Sequence, residues 1–189
     1  HITSGNLVLD GEDITTFPTE KKAQRGIFLS MQHLPEIPGV TLTNFLYRAY
    51  KSINPQSEIT PLDFYKAMEG RAKEYGIDTT YLRKHLNSGL SGGEKKQSEV
   101  LQLLALEPKF ALLDEIDSGV DVDALRRVFS AVNTLKEGGA GFLIVTHSNK
   151  LLEYISPDFV HVMKEGKVVS TSGGDMVDRI SREGFESII

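Results

Sequence analysis

The chain has 189 residues, a hydrophobic fraction of 40%, a charged fraction of 25% and a formal net charge of −5. That length supports one substantial core, or a core with a small subdomain, and the negative balance argues against broad, nonspecific nucleic-acid binding. With no cysteine, disulfides and thiolate ligation of zinc or an iron–sulfur cluster are excluded within this chain.

No apolar run approaches the roughly 20 residues of a membrane span, so direct membrane insertion is not expected. The first residue is His1 and not Met, and the expectation is that the natural start lies upstream. No basic-then-apolar leader is present at the start of the sequence, so no secretory signal is expected, and the lack of cysteine agrees with a cytoplasmic location, which is the expectation. The histidines (His1, His33, His85, His147 and His161) show no clustered metal-ligand spacing.

In chain order, "GNLVLDGEDIT" reads as a strand followed by a turn at Asp10-Gly11. "GIFLSMQ" (Gly26–Gln32) is an apolar run short enough for a buried strand, and Pro35, Pro38 and Gly39 beyond it exclude regular helix or a central strand. From residue 40 to 90 the character is helical, with no strand expected. Leu42, Phe45, Leu46 and Tyr50 fall at helical spacing. Thr60-Pro61 offers a hydroxyl cap and a proline at the first helical position, for a helix stopping near Gly76.

After residue 90 the alternation is regular. A helix over Glu94–Leu106 stops before Pro108, and the strand "FALLD" follows. Val122, Leu125, Val128, Phe129, Val132 and Leu135 mark an amphipathic helix ended by Gly138 and Gly139. "GFLIVTH" reads as a buried strand, "NKLLEYI" as a short helix closing at Pro157, and "DFVHVMKEGKVVST" as two strands turning at Glu165-Gly166, with a helical C-terminus. The prediction is an α/β fold with a mainly parallel sheet covered on both faces. Residues 1–39 and 91–189 would form the core, and residues 40–90 an inserted helical subdomain.

Several residues in this frame have chemical potential. Asp114 and Glu115 follow an apolar strand, where ligands of open α/β sheets gather. An aspartate there can hold Mg²⁺, and the next carboxylate can polarise a water that attacks a phosphate; the alternative is a solvated acidic loop. Ser91-Gly92-Gly93 precedes a helix whose free N–H groups suit an anion, though such a triplet is an ordinary turn in most proteins. Lys95 and Lys96 are read as solvated. His147 ends "FLIVTH", on the same sheet edge as Asp114 if the two strands are parallel, where an imidazole can donate to a phosphate or serve structure alone. Gln32 also leaves an apolar strand, within reach of a metal or an attacking water.

Together these elements resemble the ATP-binding cassette (ABC) ATPases, over essentially the whole chain. Gln32 matches the Q-loop glutamine, "LSGGE" (Leu90–Glu94) the signature loop, and "FALLDE" (Phe110–Glu115) the Walker B strand with its glutamate. "SGVD" (Ser118–Asp121) looks like the D-loop and His147 like the switch histidine. Within that family the stretches "GIFLSMQHLPEIPGV", "LSGGEKK", "LEPKFALLDEIDSGVDVDAL" and "PDFVHVMKEGKVVSTSGG" are similar to the SufC-type ATPases of the Suf iron–sulfur cluster assembly system. Gln97, Ser98 and Ser148 depart from that group's usual residues.

The resemblance implies an ABC fold whose cofactors are ATP and Mg²⁺. It implies Asp114 and Gln32 at the metal, and Glu115, His147 and Gln32 as catalytic. Ser91, Gly92, Gly93 and Asp121 would meet the nucleotide held by the opposite subunit of a nucleotide-dependent homodimer. SufB/SufD-like scaffolds are the implied partners. Two alternatives stand beside this reading: the motor of an ABC membrane transporter, and a non-catalytic interaction subunit. The last is prompted by the absence of any G-x-x-x-x-G-K-[ST] loop, which also predicts that this polypeptide alone does not hydrolyse ATP.

Overall fold

A computed structural model describes residues 3–32, 34–147, 151 and 153–184. The chain divides into two compact units, residues 1–145 and 146–189.

The first unit opens with β1 (Val8–Leu9) and β2 (Glu12–Asp13), paired antiparallel. Asp10 and Gly11 join them with φ of 50° and 82°, the doubly left-handed geometry that Asp-Gly adopts in a two-residue hairpin loop. A short helix α1 (Thr19–Gln24), not foreseen from the sequence, leads to β3 (Ile27–Ser30). The chain then forms β4 (Ile37–Thr41), α2 (Leu42–Ile53) and α3 (Pro61–Glu74).

Thr41 caps α2 by accepting from Asn44 N–H, and Thr60 caps α3 by accepting from Asp63 N–H ahead of Pro61. α2 buries Leu42 and Leu46, and α3 buries Phe64, Met68 and Ala72. The rings of Tyr47 and Tyr50 pack on Phe64 with centroids 5.5 and 5.4 Å away. A 3-10 turn at Thr79–Arg83 and β5 (His85–Leu86) close the block. β5 pairs antiparallel with β4 through an irregular register. The expectation of no strand over residues 40–90 is therefore corrected by β5 and the end of β4; Pro38 and Gly39 also lie inside β4, where a two-stranded ladder tolerates the missing donor.

Next come α4 (Gly92–Leu106), β6 (Phe110–Asp114), α5 (Val122–Glu137) and β7 (Gly141–Val145). β3, β6 and β7 form one parallel sheet in the order β3-β6-β7. Ile27 is level with Phe110 and Gly141, and Leu29 with Leu112 and Leu143. One face is closed: Phe28, Ser30, Ala111 and Leu113 are buried, and a hydrogen bond from Ser30 to Glu99 brings α4 against it. α4 and α5 pack on each other, burying Val100, Leu101, Leu103 and Leu104 with Val128, Phe129 and Val132.

The opposite face is open. Leu29, Leu143 and Val145 are 54%, 44% and 52% exposed, and Met31 just past β3 is also exposed. This corrects the expected cover on both faces and the reading of Gly26–Gln32 and of "GFLIVTH" as buried strands. Along each strand alternate side chains point to opposite faces, and burial alternates accordingly, with Phe28 and Ser30 buried and Leu29 and Met31 exposed. Val122 is likewise exposed, as the first residue of α5.

The second unit is a hairpin with a helix. β8 (Val160–Lys164) and β9 (Lys167–Ser172) pair antiparallel around Glu165 and Gly166, whose φ of 49° and 76° again define a two-residue left-handed turn. α6 (Asp175–Glu183) lays Met176 and Ile180 on Val162, with Val160 at the margin. The expected helix "NKLLEYI" and the last residues of the C-terminal helix fall partly outside the described residues.

Candidate functional site

The sheet's connectivity gathers the site. All three strands run parallel, so Gln32, Asp114 and the residue after Val145 leave from one edge. Ser30 is level with Leu113, and Asp114 with Val145. That is the carboxyl edge at which α/β sheets bind ligands. Here Gln32 Nε2 donates a hydrogen bond to Glu115 Oε2 at 3.1 Å, across 83 residues of sequence.

Glu115 itself has φ of 47°, a left-handed conformation that non-glycine residues seldom adopt and that costs about 1–3 kcal/mol where it persists. The surroundings enforce it. Its N–H donates to Val145 O at 2.9 Å, and its carbonyl accepts from Ser118 N–H at 3.0 Å. The next side chain, Ile116, is fully buried, so the turn is anchored in the core while Glu115 stays partly exposed. The strand end therefore presents a carboxylate in a fixed direction, with one oxygen held by an amide.

Ser91 precedes α4 as its cap in a reciprocal box. Its Oγ accepts from Glu94 N–H at 3.4 Å, and Glu94 Oε2 accepts from Ser91 N–H at 2.8 Å. Glu94 Oε1 also accepts from Lys84 Nζ at 2.9 Å and from Tyr81 OH at 3.3 Å. The Ser91 backbone N–H, and after it Lys84, hold the Glu94 carboxyl down at about 2. The S-x-x-E spacing was available in the sequence as a capping-box signal.

Gly92 and Gly93 lie in the first turn of α4. A Cβ on either would meet nothing within 4 Å, and neither φ is left-handed. Among the described residues nothing requires glycine at these positions. Asp121 caps α5, its Oδ1 accepting from Ala124 N–H at 2.7 Å. His147 is exposed, two residues past the end of β7, and belongs to the second unit.

The lysines beyond the Ser-Gly-Gly turn are not both solvated. Lys95 Nζ pairs with Glu36 at 2.8 Å near the surface. Lys96 is buried, its Nζ 3.0 Å from Glu99 Oε2, and Glu99 is 1% exposed. The reading of Lys96 as a solvated cation is corrected; it lies on the buried side of α4 with Glu99 and Leu103.

Among the described residues no group of three His, Cys, Asp or Glu side chains could hold a metal ion. Asp114 and Gln32 supply hard oxygen donors, which fits Mg²⁺ bound through one carboxylate, phosphate oxygens and water, and does not fit an all-protein cage. A cleft of about 530 Å³ lined by Phe17, Pro18, Lys21, Gln24 and Arg25 holds none of these residues.

The structure thus combines a parallel sheet with one acidic strand end at Asp114, a capped Ser-Gly-Gly helix start and a glutamine reaching Glu115. The ABC transporter family model matches residues 1–118. The chain is 42% identical over 188 residues to "Vegetative protein 296" of Bacillus subtilis (strain 168), covering 99% of this chain and 72% of that protein. It is 38% identical to the "Probable ATP-dependent transporter ycf16" of Antithamnion sp., covering 98% and 75%.

Among solved structures, a dimeric bacterial ABC transporter cassette superposes with a TM-score of 0.76 at 16% identity over 90% of this chain and 74% of that one. A post-hydrolysis dimeric cassette bound to ADP and Pi gives 0.75 at 17%, with the same coverage. The chain belongs to the ABC transporter ATPase family. No helix among the described residues is long and apolar enough to cross a membrane.

Proposed function

We propose that this chain is the ATP-hydrolysing subunit of a SufC-like system, acting with Mg²⁺ and driving iron–sulfur cluster assembly on a SufB/SufD-like scaffold. The observation that carries the hydrolytic reading is the Gln32–Glu115 hydrogen bond at the carboxyl edge of parallel strands. In this reading Glu115 is the general base. Its carboxylate, oriented by the Gln32 amide at Oε2, takes the proton from a water attacking the terminal phosphorus. Asp114 and Gln32 hold the Mg²⁺, which when bound neutralises phosphate charge. His147 donates a hydrogen bond to the terminal phosphoryl oxygens.

Ser91, Gly92, Gly93 and Asp121 serve the nucleotide of the opposite subunit in a nucleotide-dependent homodimer. The bare glycines support this assignment: in a helical turn glycine costs about 0.5–1 kcal/mol relative to alanine, and no contact among the described residues offsets it. An external group approaching the backbone does. Residues 40–90 form the helical subdomain between the two halves of the core, residues 1–39 and 91–189, and the site of action is the cytoplasm.

The sequence holds no G-x-x-x-x-G-K-[ST] loop, so the phosphates lack their backbone cradle and lysine in this polypeptide. A phosphate-release assay on the purified chain alone is expected to show no steady turnover, and steady turnover overturns that part of the reading. Support for the cluster-assembly role comes from the "DEIDSGVD" stretch and from a cysteine-free chain, which leaves the cluster to a partner. The relatives' transporter names favour a second reading, the motor of an ABC membrane transporter. Co-purification decides between them: a soluble cysteine-bearing scaffold supports the first, and an integral membrane protein supports the second.

A further inference from the structure

The hydrolytic reading leaves one buried ionic cluster unused. Glu99, on the second turn of α4, is 1% exposed, as is Ser30, the last residue of β3; Lys96 is 8% exposed. Ser30 Oγ donates to Glu99 Oε1, and Lys96 Nζ donates to Glu99 Oε2 at 3.0 Å. Each carboxylate oxygen thus has one partner, and both partners are buried. Such a pair is expensive to keep: breaking it strands a charge, while replacing it with apolar side chains of similar volume is often neutral or stabilising. Stability alone therefore does not explain it.

Its location offers an explanation. Ser30 is two residues before Gln32, whose Nε2 holds Glu115. Lys96 and Glu99 lie on the helix that Ser91 caps. The triad therefore joins the exit of β3 to α4, with the Gln32–Glu115 pair on one side and the Ser-Gly-Gly turn on the other.

We propose that Ser30, Glu99 and Lys96 are positioning residues, a buried charged link that fixes the exit of β3 to α4 and so sets where Gln32 presents its amide to Glu115. This rests on the reading of Gln32 as part of the hydrolytic site. The geometry gives it a simple physical basis: an ionised carboxylate with directional bonds fixes register more narrowly than dispersion contacts, which tolerate sliding. Any displacement of α4 along its axis then pulls on Ser30 and, two residues on, on Gln32.

The test replaces the link with apolar groups in the intact chain, as Ser30→Ala, Lys96→Met and Glu99→Leu together, and reads the Gln32 side-chain amide by ¹⁵N NMR. A Glu115→Ala variant supplies the reference shift for an unbonded amide. A purely structural triad predicts a folded triple variant with the Gln32 amide unmoved. A positioning triad predicts an equal or higher melting temperature together with a Gln32 amide shifted towards the Glu115→Ala value. An unmoved amide in the folded triple variant overturns the proposal.

If the triple variant does not fold, Ser30→Ala alone cuts the link and leaves the Lys96–Glu99 pair intact. The same shift is then expected, and its absence overturns the proposal equally. Neither outcome depends on ATP turnover, so failure here is separable from failure of the hydrolytic reading, which phosphate release tests.

Discussion

Replacing Gly92 and Gly93 by alanine separates folding from function at the start of α4. Both residues have helical backbone, and an added Cβ meets no atom within 4 Å. Alanine at a compatible site stabilises by about 0.4–1 kcal/mol, mainly by narrowing the unfolded ensemble. The double variant is therefore expected to gain about 1–2 kcal/mol, if the two positions act independently. For a chain of this size each kcal/mol moves the melting temperature by about 2–4 °C, so the transition should rise by about 2–8 °C. Thermal denaturation followed by far-ultraviolet circular dichroism reads this directly. A melting temperature lowered by either single substitution refutes the reasoning, because it means that the fold itself uses the bare backbone and that no external group is needed to account for the glycines.

The buried ion pair makes the opposite prediction for a single change. Lys96→Met leaves Glu99 buried without its cation, and urea titration is expected to show a loss of about 3–5 kcal/mol, the range for breaking such pairs; a loss within error of zero contradicts the burial seen here. Glu94 predicts a pH dependence. Its carboxyl falls from 4.5 unfolded to about 2 folded, so its contribution is fully present above the unfolded value and is lost as pH falls between the two. A Glu94→Gln variant should lack that part of the acid-unfolding slope, and an unchanged profile contradicts the assignment. The open sheet face predicts self-association through Leu29, Leu143 and Val145. Leu143→Glu is expected to reduce the sedimenting fraction in analytical ultracentrifugation, and an unchanged distribution removes that face as the cause.

What was legible in the sequence was local. Asp10-Gly11, Thr60-Pro61 and Glu165-Gly166 each specify a backbone geometry from two adjacent residues, and the structure has each turn or cap where the pair stands. The alternation of elements predicts parallel strands but not their order β3-β6-β7, and the hydrogen bond from Gln32 to Glu115 spans 83 residues, so only the fold decides it. Expectation and structure differ where a residue's own chemistry does not report its surroundings. Leu143 and Val145 are apolar, which says what they prefer to touch and not whether anything covers them. Lys96 is cationic, which suggested water; its neighbour one helical turn on, Glu99, is what allows it to be buried. The short α1 and the two-residue β5 carry too few residues for any period to register.

The central claim is that Glu115, held by Gln32, removes the proton from the attacking water. The most direct measurement supplies this chain with an added G-x-x-x-x-G-K-[ST] phosphate-loop segment and compares phosphate release with and without Glu115→Gln, which keeps the hydrogen-bonding shape and removes the base. Loss of a general base predicts a fall in turnover of at least about 10²-fold with ATP binding retained. Equal turnover in the two proteins contradicts the account.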